Sequence, residues 1–207
     1  MTFEHYVGFL FFAFVASATP GPNNLMLVAS GANHGVRRTV PHMLGIAFGF
    51  ALLVFLTGLG LARLLAALPL LEKVLGLLAF GFILHLAWRI ATAPPPAPDA
   101  ALEGRGGPKG VLRQRPLRFL EALAFQWVNP KGWAMALAAL TTYVPNHDMI
   151  GTVVVTLTYA ALVMPLALAW TALGVQIGRW LSGPRRIPFN RIMAVLLVVS
   201  LVPVLLG

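Results

Sequence analysis

Thr19-Pro20-Gly21-Pro22-Asn23-Asn24 separates two apolar runs, residues 6–18 and 25–30. Neither run crosses a bilayer alone, because about 30 Å of hydrocarbon takes about 20 helical residues. Joined, they are long enough, so the polar break falls at membrane depth. Pro20 and Pro22 carry no amide hydrogen, which removes the helical donors for the carbonyls of Ala16 and Ala18. Gly21 lets the backbone turn where a side chain would clash. Unpaired backbone in lipid costs several kcal/mol per group, so such a break persists only where protein or a wet cavity covers it. A break of this kind has the form of a transport site.

Composition sets the class. Of 207 residues, 58% are hydrophobic and 10% charged, with mean hydropathy +0.83. Soluble domains carry about 25% charged residues, so an integral membrane protein is expected. Its spans use nearly the whole chain, which reads as one domain, 1–207. The net charge of +9 does not point to nucleic acid, because the basic residues fall in short loops between apolar segments, where they report orientation. The absence of cysteine excludes disulfides, iron–sulfur clusters and thiolate metal sites. Met1-Thr2-Phe3-Glu4-His5 lacks the basic start of a signal peptide, and no small-residue cleavage site follows, so the first apolar segment is expected to be retained.

The patterning predicts an all-α polytopic bundle with six spans, near 6–32, 43–65, 70–92, 119–144, 151–178 and 190–206. Pro69 joins the second and third tightly, with Glu72 and Lys73 near the surface. Segment 93–118 is a linker, with Pro94-Pro95-Pro96 favouring an extended conformation and 104–110 rich in glycine. Arg37, Arg38, Arg89, Arg105, Lys109, Arg113, Arg115, Arg118, Arg179, Arg185, Arg186 and Arg191 all fall on one side of these spans. Arg63 and Lys73 fall on the other, and Lys131 lies within a span. The positive-inside rule then places the first, third and fifth loops in the cytoplasm and both termini outside.

The fourth predicted span is broken as well, at Gln126-Trp127-Val128-Asn129-Pro130-Lys131-Gly132. Pro130 frees the carbonyl of Gln126, with Asn129 and Lys131 beside it. Spans one and four are each the first of a three-span half, about 1–92 and 119–207. Three is odd, so the halves insert with opposite orientation, the pattern of an inverted repeat whose broken helices meet near the midplane.

A proline kink that only shapes the bundle needs less than two prolines, a glycine and two asparagines. Freed helix ends offer amide donors to a carboxylate and carbonyls to an ammonium group, and Asn23 and Asn24 add both kinds of group. Lys131 is costly inside a span; it either pairs with exposed carbonyls of the first span or holds a substrate carboxylate. Glu121 reads as a partner for Arg118 or Arg115, or as a proton-coupling group. His85, one turn before Arg89, reads as a buried hydrogen-bonded histidine or a proton relay. His42 and His147 fall at loop edges. Gly45-x-x-x-Gly49 permits close helix approach, within one protomer or across a homodimer. No cluster of His, Asp or Glu suggests a metal, and neither a catalytic Ser/His/Asp set nor a phosphate-binding loop is present. No cofactor and no enzyme activity are expected.

Ala18-Thr19-Pro20-Gly21-Pro22-Asn23-Asn24, Gly35, Gly45-Ile46-Ala47-Phe48-Gly49 and Asn129-Pro130-Lys131 resemble the LysE/RhtB family of bacterial amino-acid exporters, and span order and the central linker extend the resemblance over essentially the whole chain. It implies a six-helix inner-membrane protein, embedded in lipid, that exports amino acids or their derivatives using the membrane potential or a proton gradient. Departures occur at His85, where the family often has a tyrosine nearby, and at Ala194 and Pro203; they bear on the substrate, not the fold. The expected function is alternating-access export of a small zwitterionic solute, most simply a neutral amino acid. A dibasic one would want a carboxylate at a site offering Lys131 and no acid. Thr19, Asn23, Asn24, Gln126, Asn129 and Lys131 are the expected polar contacts, and Pro20, Gly21, Pro22 and Pro130 hold the backbone open. The alternative is a gated channel for osmolytes or ions lined by the same broken helices.

Overall fold

A computed structural model of the chain describes residues 1–93, 115–144, 148–181 and 185–200, and among them all regular structure is helical. The linker segment 94–114, together with His147 and Pro203, lies outside the described residues.

Helix α1 (Phe3–Ala18) starts at Thr2, whose hydroxyl accepts the amide of His5. It ends where the sequence predicts. Thr19 and Gly21 are extended, and Pro22 opens α2 (Pro22–Gly58) at its first position, where a missing amide hydrogen costs nothing. α2 is two helical segments, 22–34 and 36–58, because Gly35 sits at φ 77°, ψ 171°, a backbone conformation that strains other residues. The second segment therefore begins at 36 and ends at Gly58, not at 43 and 65 as expected. The residues read as a loop, Arg37 to Thr39, form its first turn, with the Thr39 hydroxyl donating to the Gly35 carbonyl at 2.8 Å. Gly60, at φ 105°, stops the helix.

Short α3 (Leu61–Ala66) precedes α4 (Pro69–Ala91). α5 (Phe119–Phe125) passes into a 3-10 turn, Gln126–Val128, and Asn129 is extended before Pro130 opens α6 (Pro130–Tyr143). α7 (Met149–Trp180) is capped by Asp148, whose carboxylate accepts the Gly151 amide at 2.7 Å. α8 spans Arg186–Val199. By length and composition, α2 and α7 are long and apolar enough to cross a membrane. The two proline breaks divide the first and fourth predicted spans into shorter pieces.

Backbone contact fixes the packing around α2. A Cβ at Gly31 would overlap the Thr171 carbonyl; one at Gly174 would meet that of Val28, and one at Gly178 that of Ala32. Segment 22–34 thus lies directly against α7, as small residues allow in membranes. Gly45 and Gly49 meet Phe119 and Leu123 of α5, so this pair serves packing within the chain. α4 packs on α8, and α1 on α6 and α7. Phe9, Phe50 and Tyr159 form an edge-on aromatic cluster at 5.0–5.4 Å, a favoured ring geometry.

Candidate functional site

The two breaks meet. The Asn23 side-chain amide donates to Gln126 Oε1 at 2.8 Å, and Gln126 Nε2 donates back to Asn23 Oδ1 at 3.2 Å. This reciprocal pair joins the start of α2 to the 3-10 turn of the second break. Gln126 is fully buried; its Nε2 also reaches the Ala122 carbonyl at 2.9 Å, and its Oε1 accepts from Asn129 at 3.4 Å.

Side chains take carbonyls at the end of α1 and in the break. Asn24 Nδ2 donates to the carbonyls of Ser17 and Thr19, both at 2.9 Å. Lys131 Nζ donates to the Thr19 carbonyl at 2.5 Å and reaches that of Pro20 at 3.5 Å. The acceptors are thus Ser17, Thr19 and Pro20 and not the predicted carbonyls of Ala16 and Ala18; α1 closes its last turn with the Thr19 amide on Val15. At the second break the Gln126 carbonyl is not free: the 3-10 turn returns the Asn129 amide to it at 3.3 Å. Lys131 stands against the C-terminal end of α1, where the aligned carbonyls carry partial negative charge. The bonds observed are those of the first of its two predicted roles.

A cavity opens at this junction, lined by Ser17, Gly21, Asn23, Asn24, Asn129 and Lys131 on its polar side and by Leu27, Ile46, Phe50 and Val163 on its apolar side. Asn129 is 3% exposed and its Oδ1 has no hydrogen-bond partner; nor does the buried hydroxyl of Ser17. Two orphaned oxygens beside the Lys131 ammonium, itself held on the Thr19 carbonyl, can address a donor and an acidic group on one small molecule. Thr19, Pro20, Pro22, Gln126 and Pro130 shape this junction without lining the cavity. The Thr19 hydroxyl turns back to Val15 at 2.7 Å.

Other candidates lie elsewhere. Glu121 is tied to Arg115 through both its oxygens, at 2.8 and 2.5 Å, and accepts the Arg118 amide at 2.8 Å. His85 is exposed, packed near Trp88, which corrects its reading as a buried histidine. His42 is also corrected: it is 1% exposed, inside the bundle and not at a loop edge. Ser17 escaped the sequence reading; its place two residues before the break was the available signal.

No solved structure matches the chain. Similar proteins include the cysteine/O-acetylserine efflux proteins of Salmonella paratyphi A, 33% identical, and of Salmonella choleraesuis and Escherichia coli K12, each 31% identical, over 64% of this chain. The matched part spans 62% of the length of these relatives, which their names mark as transporters, not enzymes. Residues 14–206, both breaks included, match the family described as LysE type translocator. The chain belongs to the LysE type translocator family.

Proposed function

We propose that the chain is a secondary transporter that exports a small zwitterionic solute, a neutral amino acid or a derivative, across the bacterial inner membrane. Two inverted three-helix halves, about 1–92 and 119–207, rock around the junction of the breaks, with both termini outside the cytoplasm. The observation that carries this reading is that Asn24 and Lys131 hold the carbonyls at the end of α1 in a cavity that Asn129 also lines, with its Oδ1 unpartnered. Such bonds exchange without unwinding a helix. The solute carboxylate takes Lys131, and its ammonium group takes the carbonyls of Thr19 and Pro20 that Lys131 releases. Asn129 Oδ1 and the Ser17 hydroxyl accept and donate to the remaining polar atoms. Relatives named for efflux of cysteine and O-acetylserine, each with one ammonium and one carboxylate, support a neutral substrate, as does a cavity without an acidic side chain among its lining residues.

Efflux from cells loaded with a dipeptide mixture tests it. The wild-type chain should accelerate release of one or a few neutral amino acids, and Lys131→Ala should abolish the acceleration. Unchanged export by both Asn24→Asp and Asn129→Asp would refute the assignment of the site. Unitary conductance steps in a bilayer would replace the carrier by a channel.

A further inference from the structure

A second cavity lies at the other end of segment 22–34, among Ser30, Asn33, His42, Arg89 and Arg115, with Met26 and Leu86 as apolar floor. Its rim includes Ala93 and Pro116, on the side that the positive-inside count assigns to the cytoplasm. His42 is fully buried here, and neither ring nitrogen has a hydrogen-bond partner. A neutral imidazole carries one donor and one acceptor, and buried polar groups left unpaired are rare enough to need a reason. Nearby, two guanidinium groups face one carboxylate. Glu121 engages Arg115 with both oxygens, while Arg89 gives one nitrogen to the Arg115 carbonyl at 3.1 Å. A guanidinium has five donors, so Arg89 has donors to spare, and no acidic residue lines this cavity among the described residues.

We propose that this cavity is a second binding site, which takes the carboxylate of a small solute. The carboxylate lies on Arg89, the geometry a guanidinium matches best, and His42 supplies a further N–H. The site is distinct from the junction of the breaks yet shares a helix with it. Asn24 faces the first cavity and Asn33 the second, about 13 Å apart along the helix. On the transport reading above, on which this role rests, the second cavity is the cytoplasmic station where a solute is collected before it reaches the breaks. Asn190, fully buried, ties the wall together: it accepts from Asn33 at 2.9 Å and donates to the Ala93 carbonyl at 3.4 Å.

Equilibrium dialysis of the purified full chain in lipid nanodiscs, with radiolabelled O-acetylserine as probe and acetate as competitor, decides between outcomes. Two equivalents should bind to the wild type, and acetate, a bare carboxylate, should compete for both. Arg89→Gln and His42→Leu should each lose one equivalent, while Asn129→Asp with Lys131→Ala should lose the other. In ¹⁵N-histidine spectra, acetate should move the one imidazole signal that is missing from His42→Gln; this holds the test open if His42→Leu does not fold. A single equivalent, lost on changing Asn129 and Lys131 and kept in Arg89→Gln, would overturn the second site and leave the transport reading intact. A single equivalent lost only with Arg89→Gln would sustain this site and remove the one at the breaks. No binding of either probe would count against both.

Discussion

Gln126→Leu tests whether the reciprocal amide pair holds the two breaks together. The substitution deletes both bonds to Asn23 and the bond from Asn129, leaving Asn23 with donor and acceptor unpaired. An unsatisfied buried polar group costs about 1–3 kcal/mol, whereas hydrogen bonds between membrane helices average about 0.6 and reach about 1.7 kcal/mol. Asn23 is only half-buried, so water relieves part of the loss. Gln126→Leu and Asn23→Leu should therefore each cost about 1–2 kcal/mol. Replacing both partners by apolar groups is far cheaper than orphaning one, so the double variant should lose little more than either single one. The coupling is then about 1 kcal/mol, measurable by reversible unfolding in mixed detergent–lipid micelles. Costs that add to within about 0.5 kcal/mol, as for independent sites, would refute the reasoning.

Three further perturbations follow from the packing. Glu121→Gln breaks an ion pair whose side chains are 41% and 33% exposed, so unfolding should show a loss below about 1 kcal/mol; the pH profile of efflux should not move, and a flattened profile would restore a coupling role. Gly174→Leu drives a side chain into the Val28 backbone and should destabilise by about 3 kcal/mol or more, while Gly76→Leu, with open space around it, should fold and unfold as wild type. Gly35→Ala meets no neighbour but must keep φ at 77°. It should cost about 1–2 kcal/mol by strain alone, read as a lowered unfolding midpoint with efflux per folded molecule still measurable.

Both breaks were legible because proline acts through chain chemistry: wherever Pro22 and Pro130 sit, they donate nothing, and the helix restarts at them. Which carbonyls are held was not legible, since Asn24 and Lys131 reach those of Ser17, Thr19 and Pro20 through tertiary contact and not the two that lose a helical donor to proline. Helix faces were the least readable. In an apolar segment the pattern barely separates a buried face from an exposed one, so His85 and His42, each on a long apolar helix, fell on the sides opposite to those expected. Gly31, Gly174 and Gly178 went unnoticed because their close approach belongs to two helices distant in sequence. Gly45 and Gly49 share a helix at a recognisable spacing and were seen.

The Lys131 bond to the Thr19 carbonyl joins residues 112 positions apart, and Asn23 and Gln126 are 103 apart. At ribosomal speeds of about 5–20 residues per second, the first break waits roughly 5–20 s for its partner after synthesis. During that interval Asn24 alone can satisfy its carbonyls, and the remaining acceptor must be met by water or by the insertion machinery. Folding around the first break is therefore incomplete until the second break has emerged.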